Sequence, residues 1–419
     1  MFLHWFFVCR ALFDLIYAGL YFAVSAVGGK TKPRKADGGS HPVRAMRILS
    51  LINHGGVAKV AAQTLMAMPP EECRTEVLVF TKKFVPPRLK EHAGLTMTRR
   101  KMDLSPQFSH WGVFRDVVKL CRMLHRSAPQ VVHLHEPQFA PTLRIALGLL
   151  GGGTPLIVHL HNIYTSRREH ATWVQRIIER HTLRRVQIVA CSQAILKGAQ
   201  AWLGKTRYPI ELIEDGSDDQ PLWPPDEELQ SDLRQAAAGR KIVAMMARIV
   251  AHKRIDDFLM AMRGLLDEGL PLFVLLICYG KSKDRRRLRL VFNELIRPEE
   301  GEFLFKVENA TQLIPQFYLG ISTSGLEGLG LALLEYQVEG VPVICSDLAP
   351  HREVVTDGET GLLYPVGDLK ALKERVRRML TDAELRTRLA AAGKEKALRR
   401  RWSKTAAKTV ALYRKALAR

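Results

Sequence analysis

The stretch Ser322–Asp347, STSGLEGLGLALLEYQVEGVPVICSD, decides the fold of this chain. It begins in the apolar segment Leu319–Thr323 and continues through a glycine-rich loop. An apolar helical segment follows at about Leu329–Val338, and Gly340 is a typical helix stop. Val341–Cys345 is then a second buried strand. Strand, glycine loop, helix and strand in this order predict half of a parallel α/β sheet.

Two carboxylates eight residues apart, Glu327 in the loop and Glu335 in the helix, mark this stretch as a binding site. Glycines let a phosphate approach the backbone, and the helix N-terminus offers free N–H groups. A carboxylate further along the helix can accept both hydrogen bonds of a ribose diol, and one in the loop can hold sugar hydroxyls. The plain alternative is that Glu335 is a solvated helix residue. Its apolar neighbours Leu334 and Val338 favour a partly buried helix, in which an acid needs a partner.

A pair of cations follows another predicted strand, Lys241–Ala247. Arg248 and Lys253 stand at the strand end, just before an amphipathic helix, Ile255–Leu266. A forked guanidinium and a point charge placed there suit a diphosphate. The alternative, two solvated loop cations, is common.

These motifs together resemble the donor-sugar signature of the family-4 retaining glycosyltransferases. The resemblance rests on Glu327-x7-Glu335, on the following GVPVICSD, and on the R-x4-K pair of Arg248 and Lys253, and it covers about Arg44 to Leu417. It implies an α/β fold of the GT-B type, with two Rossmann-like doubly wound domains facing across a cleft. It also implies that Gly328, Leu329 and Gly330 belong to the donor site.

The chain departs from the family pattern at four places. Tyr336 replaces the Ala of the usual Glu-Ala-Gln, Arg254 replaces a Gly, and Asp215 replaces an Asn at the hinge between domains. The loop after Cys278 keeps one glycine, Gly280, where the family has two.

The first half of the chain begins with a strand, the loop Gly55-Gly56, and a helix over Ala58–Met68. This is a Rossmann-like opening without the GxGxxG fingerprint, and it resembles the family loop that approaches the donor diphosphate. Two later strands end in HLHEP and HLHN. By the resemblance, His161 lies beside the reacting carbon of the sugar.

Four histidines lie on these two strands: His133, His135, His159 and His161. A zinc site is not favoured, because no acid or cysteine joins them at a suggestive spacing. Alternation places His159 and His161 on one face of their strand. No metal is predicted elsewhere either, since no DxD motif follows a strand.

The net charge of +21 indicates a polyanionic partner: a membrane surface, a nucleic acid or an acidic glycan. Lys370–Arg419 alone carries 17 basic and 4 acidic residues. The apolar N-terminal segment is interrupted by Arg10 and Asp14 and is followed by a basic run from Lys30 to Lys35. We expect an uncleaved membrane anchor with the enzyme on the cytoplasmic side. The alternative is a buried helix added to the first domain.

Five segments are therefore expected, and they are an anchor at 1–28, a linker at 29–43, an acceptor-side domain at 44–205, a donor-binding domain at 206–400 and a helix at 401–419 that returns to the first domain.

The predicted function is transfer of a hexose, with retention, from a nucleotide-diphosphate sugar (UDP or GDP) to a lipid-linked or glycan acceptor in cell-surface polysaccharide synthesis. Arg248 and Lys253 would neutralise the diphosphate, Glu335 would hold the ribose and Glu327 the sugar. No cofactor and no nucleic-acid partner are expected. Two other functions stay open: a nucleotide-sugar epimerase on the same fold, and a non-catalytic membrane-bound glycan-binding protein.

Overall fold

The structure, a computed structural model, describes residues 21, 23–24, 42–49, 56–79, 87–99, 110–162, 173–217 and 224–419. These residues form two compact units. The first holds the described residues up to Glu214 except Gly56, with Ser403–Arg419 added, and the second holds Gly56 and the described residues from Asp215 to Trp402. Gly55 and most of the predicted anchor and linker lie outside the described residues.

The first unit is built on a seven-stranded sheet with the order β3-β2-β1-β4-β5-β6-β7, and every adjacent pair is parallel. Its strands are β1 Val43–Leu49, β2 Cys73–Val79, β3 Leu95–Arg99, β4 Val131–Leu134, β5 Leu156–Leu160, β6 Gln187–Ala190 and β7 Glu211–Leu212. Its helices are α1 Gly56–Met66, α2 Pro87–Glu91, α3 His110–Ser127, α4 Ala140–Leu149, α5 Trp173–Leu183 and α6 Gln193–Leu203.

The second unit repeats the plan with six parallel strands in the order β10-β9-β8-β11-β12-β13. The strands are β8 Lys241–Arg248, β9 Leu272–Tyr279, β10 Gly301–Phe305, β11 Leu319–Ser322, β12 Val343–Ser346 and β13 Leu362–Tyr364. The helices are α7 Glu227–Ala237, α8 Ile255–Asp267, α9 Ser282–Leu295, α10 Leu331–Val338, α11 Ala349–Val354, α12 Leu369–Thr381 and α13 Ala383–Leu398. A last helix, α14 Trp402–Leu417, lies largely in the first unit.

Side chains alternate between the two faces of each sheet, and both faces are covered. In β4, Val132 and Leu134 enter one apolar cluster of the first unit, whereas Val131 enters another cluster that includes Tyr413 of α14. This confirms the α/β prediction and explains why the strands are continuous apolar runs.

The boundary between the units lies later than the predicted 205/206. Strand β7 pairs with β6, with Val189 opposite Glu211. Residues 206–214 therefore belong to the first unit, and the division falls between Glu214 and Asp215.

Tyr21, in the segment predicted to be an anchor, is part of the first unit. Its side chain is 1% exposed, and its hydroxyl lies 2.8 Å from Thr182 Oγ1 and 3.0 Å from His181 Nδ1. Val24 of the same segment also packs closely on Gly148, where an added Cβ would collide with the Val24 side chain. The end of this segment is therefore packed as the alternative interpretation requires, and residues 1–20 lie outside the described part of the chain. Among the described residues, no helix combines the length and the apolar character needed to cross a bilayer.

Tyr336, which replaces the family's alanine, packs against a glycine of the second unit. Its ring is fully buried over Gly320 of β11, where a Cβ would overlap the ring carbons. The Met246 N–H donates a 2.8 Å hydrogen bond to its hydroxyl. The larger side chain thus fills space and satisfies a backbone group of β8.

We expect Gly320→Ala to destabilise the protein by about 1–3 kcal/mol, because the added methyl overpacks the core. Thermal and urea unfolding of the full chain measure this. The matched control is Gly264→Ala in α8, where the new methyl meets only the flexible end of Lys373 and should stabilise the helix by about 0.5–1 kcal/mol. Equal stability of Gly320→Ala and the wild type would show that the ring is not seated there.

Candidate functional site

The candidate donor site of the second unit lies where β8, β9 and β11 end. Arg248 is the last residue of β8 and pairs in register with Tyr279, the last residue of β9. Ligands bind at such carboxyl ends in parallel α/β sheets. Arg248 is exposed.

A buried hydroxyl fixes the loop that carries Lys253. Thr323, fully buried just after β11, shares its hydroxyl hydrogen between the carbonyls of Lys253 at 3.0 Å and Arg254 at 2.9 Å. The Gly325 N–H donates to the His252 carbonyl at 2.7 Å. The loop after β8 is thereby held against the loop after β11.

Lys253 forms an ion pair with Glu327, and the Ser324 hydroxyl donates a 2.8 Å hydrogen bond to the same carboxylate oxygen. The two charged side chains are only 18% and 12% exposed. Burial acts to raise the pKa of Glu327, but the charge and hydrogen bond of Lys253 outweigh it and hold that pKa below its ordinary value. The two predicted site residues are therefore together, and the acid is ionised.

Arg254 adopts the left-handed conformation, with a φ of 49°. This conformation costs little for glycine and more for arginine, which gives the family's glycine at this position a physical reason. Arg254 is held there by a 2.7 Å bond from its Nε to Asp257 in the first turn of α8. The structure therefore accommodates the departure by local pairing.

Arg248 and the two acids predicted for the site all affect the pKa of Tyr279. Burial raises the pKa of its phenol, Arg248 opposes that rise, and the nearby carboxylates of Glu335 and Glu327 add to it. Glu335 is half-buried in the second turn of α10. Arg248, Glu327 and Glu335 thus all influence the charge of one phenol, as three of the four charged residues predicted for the donor site.

The glycine loop lies directly before α10, as the sequence predicts. Gly328, Leu329 and Gly330 are buried, and Gly330 precedes α10 with a φ of 98°. The predicted helix start at Leu329 is two residues too early, because Gly330 is the non-helical cap.

His351 is a site residue that the sequence reasoning missed. It is fully buried, its Nδ1–H donates to the Ser346 carbonyl at 2.7 Å, and a Cβ on Gly330 would lie 3.0 Å from its ring. Burial lowers its pKa despite the opposing charge of Glu327. Its Nε2 has no hydrogen-bond partner among the described residues. The available signal was its position just after β12, at the same sheet edge as the other site residues.

The other described residues predicted for the site are Gly56 and His161. Gly56 is the first residue of α1, and His161 directly follows β5. His161 Nε2 lies 2.9 Å from His135 Nδ1, and their rings stack. Burial, aided by the charge of Arg47, lowers the pKa of His161 to about 3, so its ring is uncharged at neutral pH.

Two family models match the chain in succession. "Glycosyl transferase 4-like domain" matches residues 55–216, and "Glycosyl transferases group 1" matches residues 226–396. The chain belongs to the family-4 GT-B glycosyltransferases. The GT-B fold predicted from the sequence is therefore confirmed.

Relatives of this glycosyltransferase include proteins of lipid and capsule synthesis. The chain is 34% identical over 143 residues to the phosphatidyl-myo-inositol mannosyltransferase of Mycobacterium leprae (strain TN), which is 33% of this chain and 37% of that protein. It is 23% identical over 166 residues to the capsular polysaccharide biosynthesis glycosyltransferase CapM of Staphylococcus aureus, 37% of this chain and 40% of that one. The matched stretches thus span well under half of these relatives.

A solved structure with the same fold is Anabaena Alr3699/HepE in complex with UDP and glucose. The TM-score is 0.73 at 18% identity, over 88% of this chain and 98% of the Anabaena protein. This likeness establishes the fold of the family-4 enzyme described here.

We expect Lys253→Met to reverse the contribution of Glu327 to the pH dependence of stability. In the wild type the depressed pKa of Glu327 adds stability above the unfolded pKa of about 4.3, and this is lost as the pH falls. Without Lys253, burial raises that pKa, so the contribution is lost as the pH rises. The deficit of the variant should grow toward neutral pH, to roughly 3–5 kcal/mol.

Urea unfolding at several pH values, with the exposed-lysine variant Lys283→Met as the control, measures this deficit. A deficit that does not change with pH contradicts the assigned pairing.

Proposed function

We propose that this chain is an enzyme that transfers a hexose from a nucleotide-diphosphate sugar to an acceptor, with retention at the anomeric carbon. One observation carries the proposal: Lys253 is paired with Glu327 at the strand ends of the second unit, where Arg248 ends β8, and Glu335 lies in the second turn of α10, the helix that follows the glycine loop. This set offers two cations and two carboxylates beside a glycine loop, which is the complement of a nucleotide-diphosphate sugar.

In the proposed mechanism, Arg248 and Lys253 bind the diphosphate and stabilise the charge that develops as it leaves. Glu335 accepts the hydrogen bonds of the ribose hydroxyls. Glu327 binds hydroxyls of the sugar, and the uncharged His351 offers an acceptor beside it. Because two cations supply the neutralisation, the transfer itself is proposed to need no metal and no cofactor.

The resting pair of Lys253 and Glu327 has a consequence for binding. Each charge neutralises the other in a place where little water reaches. An incoming diphosphate replaces Glu327 as the partner of Lys253, and sugar hydroxyls then replace Lys253 as the partners of Glu327. Donor binding is therefore an exchange of partners, which favours a ligand that carries both groups over an isolated diphosphate.

We propose UDP or GDP as the nucleotide, and UDP-glucose as the first donor to test. The Anabaena protein of the same fold was solved with UDP and glucose, which supports a UDP-sugar here. The anomeric configuration of the product, read by proton NMR, tests retention.

The proposed acceptor is a lipid-linked or glycan molecule of cell-surface synthesis. The names of the relatives, a phosphatidyl-myo-inositol mannosyltransferase and a capsular polysaccharide enzyme, support this class. The net charge of +21 suits an anionic membrane surface. We propose that the chain works on the cytoplasmic face of the membrane, held there by residues 1–20 and by its basic surface.

Two variants separate the roles of the units in the proposed reaction. Glu335→Ala should weaken UDP-glucose binding in calorimetry by about 1.5–3 kcal/mol, because the ribose loses a charged acceptor. His161→Ala, in the first unit, should leave nucleotide binding unchanged and abolish transfer.

Matched controls are Glu339→Ala, an exposed acid just after α10, and His125→Ala, an exposed histidine of α3. Unchanged donor affinity in Glu335→Ala would exclude the ribose role. Donor conversion by the wild type without any acceptor would instead indicate an epimerase.

Deleting residues 1–17 should move the protein from the membrane to the soluble fraction with donor affinity intact. The deletion stops before Tyr21, since that residue belongs to the core of the first unit. High salt alone should release little full-length protein, because salt screens charge and not apolar contact. Full-length protein that is soluble at low salt would contradict the tether.

A further inference from the structure

Three histidines of the first unit form a buried cluster on one face of its sheet. His133 and His159 lie on the adjacent strands β4 and β5, and His135 directly follows β4. They share the face of Val131 and Ile157, which is covered by α14. Their exposed fractions are 1%, 2% and 3% in chain order. Ring nitrogens of the three lie within 4.8 Å of one another.

The free nitrogens of this cluster point to a missing ligand. Among the described residues, His133 Nε2, His135 Nε2 and both ring nitrogens of His159 have no hydrogen-bond partner. Most buried polar atoms are paired, and an unpaired one carries a desolvation cost. Four such atoms in one place require a water molecule or an ion.

The other nitrogens of two of these rings are already held, in the manner of a metal site. His133 Nδ1 lies 2.7 Å from the Tyr413 hydroxyl, and His135 Nδ1 lies 2.9 Å from His161 Nε2. A histidine that binds a metal through one nitrogen almost always hydrogen-bonds through the other, which fixes its tautomer and ring orientation. In both residues the free atom is Nε2. The two rings are nearly parallel, with 4.6 Å between centroids and 13° between planes, so they must rotate for both lone pairs to meet one ion.

We propose that a first-row divalent transition ion, zinc in the first place, binds His133 Nε2, His135 Nε2 and a ring nitrogen of His159. Imidazole nitrogens suit Zn²⁺, Cu²⁺ and Ni²⁺. Zinc–nitrogen bonds are about 2.0–2.1 Å long, so the rings must rotate and shift by roughly an ångström for the three nitrogens to reach one ion.

The buried guanidinium of Arg47 limits which fourth ligand the proposed ion can have. Its guanidinium is fully buried opposite His133 on β1, and its Nε donates to Tyr413 at 3.1 Å. Its Nη1 has no partner among the residues described. A bare dication beside this charge is unfavourable, so the fourth ligand must be an anion. A bound water that releases its proton to solvent supplies hydroxide, which can accept a hydrogen bond from Arg47.

The ion would be structural. It would hold His135, and through the His135–His161 hydrogen bond it would orient His161. It does not replace the cations proposed for the diphosphate, which belong to the second unit, and the proposal stands whether or not the proposed transfer reaction is correct.

The test uses the full chain, purified without chelators and with any polyhistidine tag removed. Elemental analysis should find about one zinc per chain. After removal of the metal, titration with Co²⁺ should give the intense visible absorption of a four-coordinate site, and Zn²⁺ should displace it. No bound metal together with no Co²⁺ absorption overturns the proposal and leaves water as the occupant.

Variants locate the ion. His159→Gln should abolish the Co²⁺ absorption, and Tyr413→Phe, which keeps all three ligands, should weaken Co²⁺ binding about 10–100-fold. His125→Gln, exposed on α3, should bind like the wild type. Circular dichroism verifies the fold of each variant, and His135→Asn replaces His159→Gln should the latter not fold. Wild-type binding in the folded ligand variants would place the ion elsewhere and overturn the assignment.

Discussion

The donor site depends on one buried hydroxyl hydrogen bond. Thr323, at the end of β11, bonds the carbonyls of Lys253 and Arg254, which belong to the loop after β8. The Arg254 carbonyl also accepts a hydrogen bond from the Asp257 N–H at 3.0 Å, so the threonine adds a link between two loops rather than the only partner of that carbonyl. Because the threonine is fixed by its strand, the position of Lys253 relative to the glycine loop is fixed as well. The ion pair with Glu327 and the hydrogen bond from the Gly325 N–H to the His252 carbonyl join the same two loops.

Much of this arrangement could be predicted from the sequence, because its determinants are local. Glycines before an apolar helix, and cations after an apolar strand, predict the loop, the helix and their places at a sheet edge. Arg254 shows the limit. The sequence marks it as a departure from glycine, but only the structure reveals its φ of 49° and the Asp257 bond that holds it. Tyr336 is similar, since its seat over Gly320 depends on how α10 packs on β11.

The histidines show a different limit of sequence reasoning. Alternation correctly places His159 and His161 on one face of β5, and the same rule applies to His133 and His135 along β4. It does not say that β4 and β5 are neighbours, or that α14, about 250 residues later in the chain, brings Tyr413 against His133. No acid or cysteine in the sequence is spaced suitably for a metal, so the sequence alone does not favour one. The spatial cluster motivates the proposed ion, since three imidazoles suffice when a solvent-derived anion completes the set.

The two units thus handle buried polar groups in opposite ways. In the second, Lys253 and Glu327 neutralise each other. In the first, burial lowers the pKa of His133, His135 and His159, and neighbouring positive charge adds to this. Among the described residues, the Arg47 side chain donates to Tyr413 and Met68. An ionised acid and a cation satisfy each other directly, whereas several ring nitrogens of these histidines and Arg47 Nη1 have no partner among the described residues. These atoms are the reason for proposing a further group from solution, because a metal with its anion would supply both an acceptor for Arg47 Nη1 and a centre that the three rings share.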